Sequence, residues 1–178
     1  MFYDLLYGGY GGRAGHDGAE SLCPVFNATN IPVEVHESSA PVRIQRMALI
    51  RDSGGAGQFR GGLGLQKDVE LLADSASVSL SGDRHRFSPP GSAGGEAGAR
   101  AQTTLVREGV ASSLGSKDVV DLQRGDVLSL RLSGAGGFGP RSQRSHAAVC
   151  DDVADGYVSV EGARDDYGVE VMPDGRIK

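Results

Sequence analysis

The sequence predicts a mainly β, α+β fold: a glycine-rich domain of antiparallel or mixed strands, with one or two short helices near the C-terminus. Runs of alternating apolar and polar residues recur along the chain, and glycine, serine and proline turns separate them. Glycine supplies 28 of the 178 residues, about twice its usual share, which favours turns and strands over helices. Because this length suits one core, residues 1–178 are predicted to form a single domain.

The predicted strands start at the beginning of the chain. Residues 1–7 are predicted to form one hydrophobic strand, and residues 8–18 a flexible glycine loop. Because such a strand exposes an edge, we expect residues 1–20 to be an incomplete strand and loop that need a partner. The alternation predicts further strands over residues 32–37, 42–50, 63–72, 76–80, 101–107, 118–122 and 127–132.

Helix signals are confined to the C-terminal part of the sequence. Residues 143–155 are predicted to form a helix that ends before Gly156. Ser159 is predicted to cap a second short helix that ends at Gly168. Cys150, in the first of these helices, is predicted to be a core residue. The sequence MPDGRIK then closes the chain with a predicted Pro-Asp-Gly turn.

The segment DSGGAGQFRGGLG, residues 52–64, concentrates glycine most strongly. Its glycines are predicted to be structural, because glycine permits left-handed backbone conformations and the close approach of another group. A tight connection between strands and a site loop both fit this pattern, and Asp52 and Ser53 are expected to accept backbone N–H bonds there. The spacing matches neither a dinucleotide fingerprint nor a phosphate-binding P-loop. The structural glycines are Gly54, Gly55, Gly57, Gly61, Gly62 and Gly64.

Two groups of residues are candidates for proton transfer or metal binding. His16 and Asp17 lie in the first glycine loop, where an imidazole and a carboxylate can exchange protons with a substrate; a solvated or turn-stabilising role is the alternative. On a strand, Glu34 and His36 share one face. This face has no third ligand at a recognised spacing, so a surface pair, or an ion pair with Arg43 or Arg46, is preferred and no metal site is predicted.

Cationic side chains form the candidate binding site. Asp83, Arg84, His85 and Arg86 follow a predicted strand, and three of them can hold a carboxylate or phosphoryl oxygen through charge-assisted hydrogen bonds. A subunit contact or a structural ion-pair cluster is the alternative. Arg60 is a similar candidate, since the glycines around it leave room for a substrate or partner beside its guanidinium. No GxSxG serine or activated cysteine is present, so covalent catalysis by this chain alone is not predicted.

Charge and cysteine content exclude several classes of protein. A net charge of −5 argues against nucleic-acid binding, which needs clustered lysine and arginine. No apolar run approaches the roughly 18 residues of a membrane span, so no membrane partner is expected. The two cysteines lack CxxC spacing and no secretory signal precedes them, which predicts a cytoplasmic protein.

Several segments that follow one another along nearly the whole chain carry a family resemblance. They are YGGYGGRAGHDG, NATNIPVEVHE, DSGGAGQFRGGLG, SGDRHRFSPPGSAGG, GDVLSLRLSGAGGFG and the tail DVADGYVSVEGARDDYGV. In this order they resemble the hydantoinase B/oxoprolinase family, which includes the α subunits of acetone carboxylase-type enzymes. Members of that family are far longer, and the chain resembles about the last third of one.

The resemblance implies a multisubunit, ATP-dependent activity. It implies hydrolysis of a cyclic amide such as 5-oxoproline or a hydantoin, with an A-type subunit that binds ATP and an upstream B-type portion as partners. It places ATP and a divalent metal in those partner parts, with no cofactor bound by this chain, which is expected to be inactive alone. Carboxylation of a ketone and a non-catalytic assembly or binding role are the alternatives.

Overall fold

The computed structural model describes residues 3–22 and 30–172, together with Asp174 and Arg176. Antiparallel strands dominate these residues, and three short helices and one 3-10 turn, Arg141–Gln143, accompany them. The fold is therefore mainly β, as predicted. The elements are α1 (Val33–Ser39), β1 (Val42–Leu49), β2 (Leu65–Leu71), β3 (Ser75–Ser81), β4 (Gln102–Arg107), β5 (Val110–Leu114), β6 (Lys117–Gln123), β7 (Val127–Arg131), α2 (His146–Ala154) and α3 (Val160–Tyr167).

The strands form two sheets. The larger has the order β1-β2-β7-β4-β5 and the smaller pairs β3 with β6; every pairing is antiparallel. Leu71 of β2, Leu105 of β4 and Leu122 of β6 are buried in one cluster, so the small sheet packs on the large one through leucine side chains. Every strand except β5 lies where alternation predicts one, because alternate side chains meet a core on one face.

The helices α2 and α3 build a second core of valine and alanine. Ser159 caps α3 by accepting a hydrogen bond from Gly162 N at 2.9 Å, and Gly168 ends it with a φ of 69°. Both ends of α3 are thus where the sequence predicts them. Cys150 is partly buried and packs against this second core, which consists of Val149, Val153, Val158, Ala163, Val169 and Val171.

Two strand predictions are wrong, and one strand was missed. A helix, α1, replaces the strand predicted over residues 32–37. Pro32 precedes the first turn of this helix, and the burial of His36 outweighs an alternating pattern that is only a few residues long. Residues 3–7 lack strand pairing. Strand β5 was not predicted; its turn, Glu108-Gly109, has φ values of 51° and 78°, a two-residue hairpin geometry. Met1, Phe2 and most of the predicted Pro-Asp-Gly turn lie outside the described residues.

Four glycine-rich segments stack through their backbones: residues 8–18, 54–64, 91–98 and 134–139, here called the glycine layer. Gly55 N donates to Ala135 O at 2.8 Å, Ala135 N donates to Gly62 O at 2.9 Å, and Gly12 N donates to Gly136 O at 3.0 Å. Residues 8–18 are therefore packed, and the prediction of a flexible loop is wrong.

The glycines of residues 54–64 are needed for close approach. A Cβ on Gly61 would overlap the carbonyl oxygen of Ala135, and one on Gly64 would overlap that of Leu132. None of the glycines in residues 54–64 has a positive φ, so the left-handed explanation is wrong there. Asp52 has the positive φ, 59°, and its carboxylate accepts from Ser159 N at 2.7 Å, which ties this turn to the start of α3.

No helix within the described residues has the length and apolar character that crossing a membrane requires.

Candidate functional site

An ion network joins the glycine layer to α2; its arginines and Asp152 are buried, whereas the Asp17 side chain is 38% exposed. It consists of Asp17, Glu20, Arg60, Arg144 and Asp152. Arg60 is 3% exposed; it donates from Nη2 to Glu20 Oε1 at 2.9 Å and from Nε to Asp152 Oδ1 at 3.2 Å. Its Nη1 donates to Gly61 O at 2.7 Å. Two carboxylates and a backbone carbonyl thus occupy the surroundings of the Arg60 guanidinium. The prediction of free space beside it is wrong.

Arg144 closes the other side of the ion network. Its two terminal nitrogens donate to Asp17 Oδ1 at 2.7 Å and Oδ2 at 2.9 Å, a bidentate arrangement. Nη2 also donates to Asp152 Oδ2 at 2.6 Å, so Asp152 bridges both guanidinium groups. Asp17 Oδ1 additionally accepts from Arg60 N at 2.6 Å. Both carboxylate oxygens of Asp17 are thus engaged by arginine, whereas His16 is exposed and contacts Arg13 through backbone bonds.

Burial and arginine contacts compete in setting the pKa values of the ion network. Burial works against the charge of Asp17, but the hydrogen bonds and charge of Arg144 outweigh it and hold the pKa of this carboxyl below its usual range. Burial raises the pKa of Asp152 despite the opposing charges of Arg144 and Arg60. Burial also raises the pKa of Tyr167, whose ring lies under Arg144, to about 12. The ion network therefore connects two segments of the glycine layer, residues 8–18 and 54–64, to α2.

A second feature is an open cleft between the loop after β3 and the start of β6, with a volume of about 470 Å³. His85 is fixed inside it: Nδ1 lies 3.1 Å from Asp83 O and Nε2 lies 3.0 Å from Thr103 Oγ1. Because a carbonyl only accepts, Nδ1 carries the proton of this pair. The residues that line this basic cleft are Gly82, Asp83, Arg84, His85, Arg86, Phe87, Ser116 and Lys117.

The basic cleft brings together all four residues of the predicted cationic cluster and adds Lys117, which sequence reasoning missed because it comes from another strand. Arg84 has a left-handed φ of 62°, and its carbonyl accepts from Ala101 N at 3.0 Å, which fixes the loop against the lead into β4. Across residues 3–22 and 30–172, no carboxylate lies within 4.0 Å of the charged nitrogens of Arg84, Arg86 or Lys117.

Sequence reasoning also missed a buried cluster of Asp4, His36 and Lys67. Lys67 is 1% exposed and donates from Nζ to Asp4 Oδ2 at 2.7 Å. His36 Nε2 lies 3.6 Å from Asp4 Oδ1; burial lowers the pKa of His36, the Lys67 charge lowers it further, and Asp4 opposes the shift. The available signal was a lysine at an inward position of the alternating strand β2.

The predicted Glu34–His36 face does not exist, because residues two apart on a helix point in different directions. Glu34 is exposed and His36 is buried. The preferred ion pairs with Arg43 or Arg46 are also wrong, since these arginines pair with Glu70 and Asp68 on β2. No three His, Cys, Asp or Glu side chains converge on a common point in the part of the chain that the structure describes.

Comparison with known proteins gives the family. The sequence profile of hydantoinase B/oxoprolinase matches residues 1–141, so the chain belongs to the hydantoinase B/oxoprolinase family. The caprolactamase β subunit of Pseudomonas jessenii is 33% identical over 156 residues, which covers 82% of this chain and 26% of that protein. The chain spans 26% to 30% of the length of the first curated relatives that it matches.

Two solved structures share the fold. The ATP-dependent caprolactamase of Pseudomonas jessenii superposes with a TM-score of 0.81 and 28% identity, covering 98% of this chain and 31% of that one. A nucleotide-free acetone carboxylase superposes with a TM-score of 0.75 over 96% of this chain and 28% of that one. At 20% identity, the second likeness concerns the fold alone. The architecture seen here is therefore a portion of larger enzymes.

Proposed function

We propose that this chain is a portion of a B-type component in an ATP-dependent enzyme that hydrolyses a cyclic amide. The observation that carries the proposal is the likeness, across 98% of this chain, to the caprolactamase, an enzyme named for its ATP dependence and its lactam substrate. The family match over residues 1–141 supports the same class. Hydantoin-like rings and 5-oxoproline belong to the same chemical class as the lactam, a carbonyl joined to nitrogen within a ring.

The proposed reaction balances with two water molecules. One water adds its oxygen to the ring carbonyl carbon as the C–N bond breaks, which leaves on one linear molecule a carboxylate and an amine, or a ureido group where the ring is a hydantoin. The other water is consumed in cleavage of the terminal phosphoanhydride of ATP, which gives ADP and inorganic phosphate. The products are thus two oxyanions besides the nucleotide. ATP and a divalent metal are proposed to bind in the partner parts of the enzyme, an A-type subunit and the remainder of a B-type subunit.

Two parts of this chain are given different roles in the proposal. The ion network around Arg60 and Arg144 fixes the glycine layer to α2 and keeps its charged groups occupied. The basic cleft presents charges that have no acidic partner among the described residues, and it is the part of the chain proposed to meet a substrate or product. A purely structural contribution of the whole domain is the alternative that the closed ion network favours.

The test is an assay of the assembled enzyme. The chain is co-purified with an A-type subunit and the remaining B-type portion, and ring opening of caprolactam, 5-oxoproline and hydantoin is followed together with ADP release. We expect ADP and linear product in equal amounts with one of these substrates, and no turnover by the 178-residue chain alone. ADP release without ring opening, or ring opening that does not need ATP, contradicts the proposal.

A domain that only stabilises the complex is distinguished by kinetics. If Arg86→Gln in the assembled enzyme changes neither KM nor kcat while the complex stays intact, the structural alternative holds for this domain. A change in KM at constant subunit composition places the basic cleft in contact with a reactant.

A further inference from the structure

We infer that the basic cleft is an oxyanion-binding site that takes a small carboxylate or phosphate through Arg84, Arg86 and Lys117. The cleft, about 470 Å³, lies within the usual range of small-molecule sites. Its charged lining is three permanent cations against one carboxylate, Asp83. The chain as a whole has a net charge of −5, so carboxylates outnumber cations in the rest of it. An excess of positive charge in one cleft is unusual in such a chain.

Most arginines outside the cleft lining pair with a carboxylate, although Arg13, Arg51, Arg100 and Arg131 have none within 4.0 Å among the described residues. Arg43, Arg107 and Arg124 each reach a carboxylate at 3.2 Å or less. Arg84 directly follows Asp83 and Arg86 lies three residues after it, yet neither pairs with Asp83 within the described residues. Positive charges held close together without a counter-ion attract an anion, and a guanidinium fork fits the two oxygens of a carboxylate or phosphate.

Hydrogen bonds fix the loop backbone that carries Arg84 and Arg86. The contacts of His85 with Thr103 and Asp83 anchor the middle of this loop. The left-handed backbone of Arg84 is held by the Ala101 N–H. A loop backbone that is fixed before the ligand arrives loses less freedom on binding than a mobile loop does.

One wall of the cleft suits a molecule larger than an ion. Phe87 is 68% exposed and the Arg86 guanidinium lies 5.2 Å from its ring centroid. An aromatic surface beside a cation accommodates an aliphatic chain or ring that ends in a carboxylate. Resting on the proposed function, the ligand is the linear amino carboxylate that ring opening releases; inorganic phosphate shares the chemistry and is the second arm of the test.

The experiment titrates the 178-residue chain with inorganic phosphate and, separately, with 6-aminohexanoate, and follows backbone amide chemical shifts at constant ionic strength. We expect saturable shifts confined to residues 82–87 and 116–117. Arg86→Gln and Lys117→Gln should each weaken binding about tenfold or more, as expected for the loss of a hydrogen bond to a charged group. Arg43→Gln, an exposed arginine on β1, is the matched control and should bind as the parent does.

Each outcome decides a separate point. Tighter binding of 6-aminohexanoate than of phosphate identifies the ring-opened product as ligand, and the reverse order identifies phosphate. Shifts spread over the surface, or equal weakening by Arg43→Gln, overturn the site. Failure of both anions, with loss of subunit co-purification in Arg86→Gln, overturns it in favour of an acidic protein surface. An assembled enzyme that opens no ring while the cleft still binds anions refutes the proposed function and leaves the site standing.

Discussion

Arg60 and Arg86 each lie beside a phenylalanine, yet they reach opposite environments. Arg60 follows Phe59, is 3% exposed and holds carboxylates of Glu20 and Asp152. Arg86 precedes Phe87, is exposed, and has no carboxylate within 4.0 Å among the residues that the structure describes. Arg60 therefore stabilises the fold, whereas Arg86 is available to a ligand. The difference shows that long-range partners, rather than the local sequence, decide what an arginine does.

The largest expected effect is the removal of Arg60. Arg60→Gln leaves Asp152 and Glu20 without one of their cations in a buried setting, which typically costs about 3–5 kcal/mol. We expect the urea midpoint to fall accordingly, measured by circular dichroism at neutral pH. Arg124→Gln is the control, because its pair with Asp74 is exposed and should contribute less than about 1 kcal/mol. Equal effects of the two substitutions would show that the ion network adds no stability.

The glycine layer should be nearly as sensitive. Gly61→Ala places a methyl group against the backbone of Ala135, and overpacking of this kind costs about 1–3 kcal/mol. Gly11→Ala is the matched control in the same layer, because its nearest contact would be 3.9 Å away and its φ is not positive. We expect a lower melting temperature for Gly61→Ala only. If Gly11→Ala loses as much stability, close approach between backbones does not explain why the layer needs glycine.

A buried acid outside the ion network extends the comparison to pH. Asp126 accepts from Arg107 Nη2 at 2.6 Å and from Gln123 N at 2.8 Å. The Arg107 hydrogen bonds outweigh the opposing burial, and Gln123 adds to them, so the pKa of Asp126 is held below its usual value. A carboxyl with a lowered folded-state pKa adds stability above its unfolded pKa, about 3.9, and loses it as the pH falls toward the folded value.

The lowered pKa of Asp126 predicts how the free energy of unfolding changes with pH. Between about pH 5 and pH 3 the free energy of unfolding of the parent should decline, and Asp126→Asn should decline less because it lacks the titrating group. At pH 7 Asp126→Asn should be less stable by about 1.5–3 kcal/mol, the usual value of hydrogen bonds to a charged group. Asp74→Asn, at an exposed carboxylate, should follow the parent profile. Parallel profiles for Asp126→Asn and the parent would contradict the account.

The smallest expected effect on stability is that of removing Arg86. Arg86→Gln removes an exposed side chain without an acidic partner, so stability in phosphate-free buffer should change by no more than about 0.5 kcal/mol. Urea unfolding in a non-coordinating buffer measures it. A loss of several kcal/mol would place Arg86 in the packed structure and remove it from the proposed binding site.

The sequence predicted the helix ends and strands that depend on neighbouring residues alone. Ser159 and Gly168 mark both ends of α3, and alternation locates six of the seven strands. The helix α1 escaped prediction because the burial of His36 under Asp4 and beside Lys67 is a tertiary effect. The ion network escaped it because Arg60 meets Glu20 and Asp152 across 40 and 92 residues of chain. Residues 83–86 were predicted as a group because they adjoin one another, whereas Lys117 joins them only through the pairing of β3 with β6.

The most direct test of the contrast between Arg60 and Arg86 is the gain in unfolding free energy that phosphate gives the parent, Arg60→Gln and Arg86→Gln. A ligand that binds only the folded state at about ten times its Kd adds about 1.4 kcal/mol. Arg60→Gln should start less stable and keep this gain, whereas Arg86→Gln should start at the stability of the parent and lose most of it. If Arg60→Gln loses the gain while Arg86→Gln keeps it, the assignment of structure to one arginine and binding to the other is contradicted.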